Sequence, residues 1–200
     1  MKLILLRHGE TNYNVKGICN SQPNPKVRLT VSGRAQAAQA AEVLKTEKIE
    51  VIITSELFRT QQTARIINKF HSVPIKRDGR LNDRNTGFEN KSVEFFYKWR
   101  AAQKNPWTAT PKNGESYQAL KKRLSAFLKD LKKEDYKVVL VVAHLPVLAA
   151  FKGIIEGISD DITGYWTDKQ VPNCKIMKFN ISSNFSDKKK ILTPKTKKKA

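Results

Sequence analysis

The 200-residue sequence has few cysteines, glycines, prolines and acidic residues, and each shortage excludes a class of protein. Its two cysteines, Cys19 and Cys174, lie far apart and outside any C-x-x-C pair, which excludes a disulfide framework and a zinc finger. Nine glycines and eight prolines are too few for a collagen-like or Gly/Pro-rich disordered chain. The scarcity of cysteine favours a reducing, cytoplasmic setting.

Long apolar runs are also missing from the sequence. The most apolar stretch, residues 138–151, contains His144 and Pro146, and we interpret it as part of a protein core. The first six residues resemble a signal peptide, but polar residues 7–10 interrupt them too early. We therefore expect an unprocessed, soluble protein without a membrane partner.

Negative charge is scarce, because 38 Lys and Arg residues face 18 Asp and Glu residues and give a formal net charge of +20. Seven of the lysines lie between residues 187 and 200. Such an excess favours anionic partners, among them phosphorylated metabolites and nucleic acid. We do not favour nucleic acid binding through this tail, since no aromatic residue follows Phe185. Most of the excess charge is interpreted as solvated surface.

With 40% apolar residues, the chain is long enough for one domain with a real core. Buried-strand runs alternate with helical patterns, which predicts a single three-layer α/β/α domain with a mostly parallel central sheet. The strand runs are residues 3–6, 51–54 and 136–142, with an edge strand at 174–181, and the helical patterns are residues 32–44, 55–70, 93–103, 116–131 and a segment from Pro146 onward. We place the domain at residues 1–185, with an irregular cap or insertion at 75–113. Residues 186–200 are interpreted as a disordered, lysine-rich tail.

Polar residues follow three of the predicted strands, where parallel sheets collect their ligands. Arg7 and His8 follow the first strand, residues 55–59 follow the second, and His144 follows the strand at 136–142. Neutral imidazole can attack phosphorus, arginines pair with phosphoryl oxygens, and a carboxylic acid can protonate the leaving oxygen. These residue types therefore predict a phosphoryl-transfer site that needs no metal ion and no cofactor.

Five separated motifs resemble, in order, the histidine phosphatase superfamily, in its phosphoglycerate mutase-like branch with an Arg-His-Gly motif. The motifs are Leu6-Arg7-His8-Gly9-Glu10-Thr11 with Asn14, Leu29-Thr30-x-x-Gly33-x-x-Gln36-Ala37, Thr54-Ser55-x-x-x-x-Arg59-x-x-x-Thr63-Ala64, Asn113-Gly114-Glu115-Ser116 with Arg123, and Val142-Ala143-His144. Together they cover about residues 2–180. The resemblance implies that His8 is the phosphorylated nucleophile and that the phosphate pocket is formed by Arg7, Asn14, Arg59 and His144.

The proton donor of the family is a glutamate, and here Asp83 occupies the matching position. Aspartate is one methylene shorter, which removes about 1.5 Å of reach. A surface role for Asp83, paired with Arg80 or Arg84, is the alternative interpretation. Glu89 and Glu115 are further candidate acids, although Glu115 also suits a helix N-terminus.

Two further departures concern the wall of the pocket. Leu145 and Pro146 follow the second histidine where the family has a glycine. These larger residues narrow the pocket at this wall, and the proline removes a backbone N–H donor. Asn20 and Ser21 stand where relatives have Gln-Gly, and we include both as candidate phosphate-binding residues. These changes affect substrate identity more than reaction type.

The most consistent hypothesis is a metal-independent phosphatase that hydrolyses small phosphomonoesters through a phosphohistidine on His8. A 2,3-bisphosphoglycerate-dependent phosphoglycerate mutase is the first alternative, although such mutases are longer and enclose the site more fully. A non-catalytic binder of a phosphorylated ligand or of nucleic acid is the second. Neither the substrate nor the oligomeric state follows from the sequence.

Overall fold

The computed structural model describes residues 1–158 and 171–181, and the predicted tail at 186–200 lies outside this part of the chain. Within these described residues, a five-stranded sheet has the order β3-β2-β4-β1-β5. Strands β1 to β4 are parallel, and β5 runs antiparallel along the edge beside β1. The strands are β1 Lys2–Arg7, β2 Val51–Thr54, β3 Ile75–Arg77, β4 Val138–Ala143 and β5 Ile176–Asn180.

The α-helices among the described residues are α1 Asn12–Lys16, α2 Val31–Leu44, α3 Phe58–Ile67, α4 Val93–Ala101, α5 Tyr117–Leu131 and α6 Leu145–Glu156. Helices α2 and α3 cover one face of the sheet and α5 and α6 cover the other, which confirms the predicted three-layer α/β/α architecture. Among the described residues, no helix is both long enough and apolar enough to cross a membrane.

The alternation of side chains along β1 builds a separate core on each face of the sheet. Leu3 and Leu5 pack with α5 and α6, whereas Ile4 and Leu6 pack with α2 and α3. All four side chains are fully buried. A continuous apolar strand is therefore required, because neither face of the sheet meets solvent.

Most helix starts agree with the capping residues in the sequence. The Thr30 hydroxyl accepts a hydrogen bond from the backbone N–H of Gly33 at the start of α2, and Ser116 caps α5 in the same way. Helix α3 begins at Phe58, three residues later than predicted from Ser55. The Ser55 hydroxyl accepts a hydrogen bond from the N–H of Leu57, which holds the connection in a turn before the helix.

The segment at 75–113 is less irregular than predicted. It opens with β3, which pairs in parallel with β2 and completes that edge of the sheet. This strand has only three residues, two of them exposed, so it carries too little apolar pattern to be predicted. Helix α4 confirms the helical pattern predicted at residues 93–103, apart from its last two residues.

The sheet order places the carboxyl ends of β2, β4 and β1 side by side. The loop after β1 also lies directly against the start of α2. A Cβ atom at Gly9 would come within 2.4 Å of the Gly33 carbonyl oxygen, so only glycine permits this approach. The contact fixes the loop that carries His8 over the edge of the sheet.

Candidate active site

A cavity of about 190 Å³ opens at the carboxyl ends of the parallel strands. The candidate site residues that line it are Arg7, His8, Asn14, Asn20, Ser21, Arg59 and Asp83. His144 is fully buried behind this wall, with its ring centroid 5.2 Å from that of His8. The structure thus brings together the eight residues predicted to act in catalysis or phosphate binding.

One nitrogen of the His8 imidazole is hydrogen-bonded to a backbone carbonyl, and the other faces the guanidinium of Arg59. Its Nδ1 lies 2.7 Å from the carbonyl oxygen of Gly9, which can only accept a hydrogen bond, so the ring proton belongs on Nδ1. Nε2 then keeps its lone pair and accepts a hydrogen bond from Arg59 Nε at 3.1 Å. Burial, followed by the charges of Arg59 and Arg7, holds the pKa of His8 well below its ordinary value. The ring is therefore neutral and suited to nucleophilic attack.

Arg59 makes hydrogen bonds to three different segments that line the cavity. Besides His8, its guanidinium donates to the side-chain and backbone oxygens of Asn20, at 2.8 and 2.9 Å, and to Asp83 Oδ2 at 2.9 Å. The residue is only 4% exposed. Such a buried, hydrogen-bonded guanidinium has a fixed orientation, which is the geometry required for pairing with phosphoryl oxygens.

Asp83 has the environment of a proton donor. Burial raises the pKa of its carboxyl group above the ordinary value, although Arg59 and Arg7 oppose that shift. Oδ1 accepts a hydrogen bond from the backbone N–H of Arg84, and Oδ2 lies 3.6 Å from His144 Nδ1. A carboxyl group with a raised pKa can carry a proton and release it to a leaving oxygen.

The loop that carries Asp83 is held by an ion pair from α5. Arg123 donates to both carboxylate oxygens of Glu115, at 2.7 and 2.9 Å. Its remaining N–H groups donate to the backbone carbonyls of Arg80 and Asn82, on the approach to Asp83. Glu115 is outside the residues that line the cavity, so this geometry supports a positioning role for it instead of the alternative role as an acid.

Two polar side chains in the cavity have N–H donors with no partner among the described residues. Arg7 donates from one terminal nitrogen to the carbonyl of Val171, while its Nε is buried without a hydrogen-bond partner among the described residues. Asn14 uses its side-chain oxygen to accept from the N–H of Thr11. An anion in the cavity would supply acceptors for these donors.

Comparison with known proteins decides the family. Residues 3–191 match the histidine phosphatase superfamily, branch 1. The chain belongs to the histidine phosphatase superfamily. It is 32% identical to the adenosylcobalamin/alpha-ribazole phosphatase of Escherichia coli, over 74% of this chain and 76% of that protein. It is also 30% identical to a 2,3-bisphosphoglycerate-dependent phosphoglycerate mutase of an Arthrobacter species, over 92% of this chain and 88% of the mutase.

A solved member of the superfamily shares the same fold. The crystal structure of the alpha-ribazole phosphatase from Shigella flexneri superposes with a TM-score of 0.77 at 28% sequence identity. The match covers 91% of each chain. These relatives confirm the family and the fold expected from the five motifs.

Within this histidine phosphatase, Asn20 and Ser21 are held by Glu89. Asn20 Nδ2 donates to one carboxylate oxygen of Glu89 at 2.7 Å, and Ser21 donates to the other from its N–H and its hydroxyl. Asn20 Nδ2 also donates to the Gln22 carbonyl at 3.0 Å, so the amide oxygen must face Arg59. Asn20 therefore orients Arg59, and Glu89 orients Asn20.

The sequence did not single out the outer wall of the cavity. Arg84 is buried between the rings of Phe96 and Tyr117, with its guanidinium carbon 4.4 and 4.0 Å from their centroids. Tyr97 and Arg100 from α4 line the same wall. The signal available in the sequence was the aromatic run in α4, but only the tertiary structure shows which of its residues face the cavity.

The residues that replace the family's glycine after the second histidine lie where the sequence suggested. Leu145 and Pro146 open α6 and both line the cavity. Among residues 1–158 and 171–181, no group of three His, Cys, Asp or Glu side chains could hold a metal ion.

Replacing Glu89 tests the connection from Glu89 through Asn20 to Arg59. Glu89→Gln exchanges one acceptor oxygen for a donor and lets the Asn20 amide rotate. We expect kcat/KM for a phosphomonoester to fall about 10-fold, the effect of losing one charge-assisted hydrogen bond. The shape of the pH profile should stay unchanged, because Glu89 does not transfer the proton.

Glu94→Gln is the matched control, since Glu94 is an exposed carboxylate at the start of α4. It should leave kcat/KM within twofold of the wild type. Loss of the basic limb of the pH profile in Glu89→Gln alone would contradict a positioning role and identify Glu89 as the acid.

Proposed function

We propose that this histidine phosphatase hydrolyses small phosphomonoesters in two steps, through a phosphohistidine on His8. The observation that carries the proposal is the state of His8, whose proton is held on Nδ1 by the Gly9 carbonyl and whose Nε2 lone pair lies beside Arg59. A neutral imidazole next to a fixed guanidinium can attack a phosphorus atom whose oxygens the guanidinium binds.

In the first step, the P–N bond to His8 Nε2 forms while the P–O bond to the leaving alcohol breaks. Asp83 gives its proton to that oxygen and becomes a carboxylate. Arg7, Arg59 and the unused amide donors of Asn14 bind the phosphoryl oxygens. The raised pKa of Asp83 supports this role, because it makes the carboxyl group hold a proton more readily than an ordinary aspartate does.

In the second step, water attacks the phosphorus and the P–N bond breaks. The Asp83 carboxylate takes a proton from that water, so the enzyme regains its protonated acid and a free His8. The products are inorganic phosphate and the alcohol. No step in this scheme requires a metal ion, since arginine charges stabilise the phosphoryl group.

The outer wall supports an alcohol with polar or negatively charged groups. Arg84 and Arg100 lie there beside the Tyr97 ring, which is half exposed. Phosphoglycerates carry such a charge, and α-ribazole phosphate carries a base that can stack on an aromatic ring. The Arthrobacter relative makes phosphoglycerate mutase the second candidate activity for this site.

Phosphate release from a panel of phosphomonoesters, with EDTA present, tests the proposed reaction. The panel contains alkyl phosphates, α-ribazole phosphate and the phosphoglycerates. We expect release by the wild type and only background release by His8→Ala. Transfer between phosphoglycerate isomers that outpaces phosphate release would favour the mutase, and full turnover by His8→Ala would exclude His8 as the nucleophile.

Replacing Asp83 tests the proton donor. Asp83→Asn cannot protonate the leaving oxygen, so kcat/KM for an alkyl phosphate, which reports the first step, should fall by about 10²–10⁴-fold. The kcat/KM for p-nitrophenyl phosphate should fall much less, because its leaving group departs readily as an anion. The wild-type kcat/KM should decline as rising pH removes the proton from Asp83, and that decline should be missing in the variant.

Asp130→Asn serves as the control, because Asp130 is an exposed carboxylate on α5. This variant should hydrolyse both substrates at the wild-type rates. Equal losses of kcat/KM for the alkyl and the p-nitrophenyl ester in Asp83→Asn would contradict the role of Asp83 as a proton donor.

A further inference from the structure

A hydroxyl pair lies behind His144, on the side away from Asp83. Ser55 Oγ is 2.9 Å from His144 Nε2 and 2.8 Å from Thr60 Oγ1. All three side chains are fully buried. The hydrogen bonds among them can therefore be assigned without competition from bulk water.

The positions of the hydroxyl protons follow from the distances. Thr60 Oγ1 lies 2.7 Å from the Leu57 carbonyl oxygen, a separation that requires the Thr60 proton between the two oxygens. The contact between Ser55 and Thr60 must then use the Ser55 proton. Ser55 Oγ has two lone pairs left, and one accepts from the N–H of Leu57 at 3.2 Å. The other faces His144 Nε2, so Nε2 must carry a proton.

The opposite nitrogen of His144 has no such partner. Nδ1 is buried, lacks a hydrogen bond among the described residues, and lies 3.6 Å from Asp83 Oδ2. That distance is too long for a hydrogen bond. A neutral His144 with its proton on Nε2 therefore presents a bare Nδ1 on the Asp83 side of the ring.

We propose that Ser55 and Thr60 are a positioning pair that keeps the proton of neutral His144 on Nε2, so that Nδ1 becomes a donor to the phosphoryl group only when an anion binds. This inference rests on the proposed function for the use of the site, but the proton position itself does not. Ser55 and Thr60 act through His144 and contact no reacting atom.

The charges around His144 determine whether its ring binds a second proton. The groups that influence it are Arg59 and Thr60 on α3, Arg7 at the end of β1 and His8 directly after it, Arg123 on α5, and Asp83 on the facing loop. Burial and the positive groups hold the pKa of His144 well below its ordinary value in the free enzyme. A phosphate anion beside Nδ1 favours the charged ring, so a proton from solvent or from monoprotonated phosphate then binds Nδ1.

Nitrogen NMR of histidine-labelled protein measures this arrangement directly. The chain has three histidines, so His71→Gln and His8→Ala identify the signals of His144 by subtraction. In the free wild-type protein we expect Nε2 to be protonated and Nδ1 to be unprotonated. Addition of inorganic phosphate should shift Nδ1 toward the protonated form while Nε2 keeps its proton.

Two variants predict different spectra. Thr60→Val removes the acceptor of the Ser55 proton, which can then turn toward His144 Nε2, so the His144 proton should move to Nδ1. Ser55→Ala removes the partner of Nε2 altogether, and both tautomers should be populated. Ser55→Ala should weaken the binding of inorganic phosphate about 10-fold, because the charged ring loses its hydrogen bond to Ser55. Thr60→Val should not weaken phosphate binding, because His144 Nδ1 then already carries a proton that it can donate to the phosphate.

Ser32→Ala is the control, because Ser32 is an exposed hydroxyl on α2. Its spectrum and phosphate affinity should match the wild type. The inference is overturned if wild-type His144 carries its proton on Nδ1, or if Thr60→Val leaves the tautomer unchanged. Thermal unfolding of each variant shows whether a spectral change reflects a loss of the fold.

The two proposals fail separately. Full turnover by His8→Ala would overturn the proposed function and leave the tautomer of His144 as assigned. A proton on Nδ1 of His144 in the free wild-type protein would overturn the role of Ser55 and Thr60, whatever the result for His8.

Discussion

The buried guanidinium of Arg59 is the interaction on which the rest of the site depends. It contacts the proposed nucleophile His8, the proposed acid Asp83 and the loop residue Asn20, which come from three separate loops. A buried cation is costly unless hydrogen bonds satisfy it, and each of these partners supplies one. The same charge helps to keep His8 neutral, so one side chain both assembles the site and tunes its nucleophile.

The fold places these groups with little help from individual side chains. Three adjacent parallel strands end at one edge of the sheet, and His8, Ser55 and His144 come directly after them. The sequence could predict this much, because fully apolar strands and capped helices leave clear local patterns. The α/β architecture and the family followed from those patterns and from five motifs, and both are confirmed.

Contacts between distant segments could not be predicted from local patterns. Glu89 accepts hydrogen bonds from Asn20 and Ser21, which lie almost seventy residues earlier in the chain. Arg84 lies between aromatic rings of α4 and α5. The edge strand β3 was missed because its stability comes from pairing with β2 and not from its own apolar residues. In each case the tertiary structure determines the role, while the residue type alone allows several.

The phosphohistidine is detected most directly by rapid quenching under alkaline conditions, followed by mass analysis of the peptide that contains His8. We expect a phosphoryl group on His8 during turnover in EDTA, formed at least as fast as the steady-state rate. Turnover that leaves His8 without a phosphoryl group at any time would contradict the two-step mechanism, because water would then attack the substrate directly.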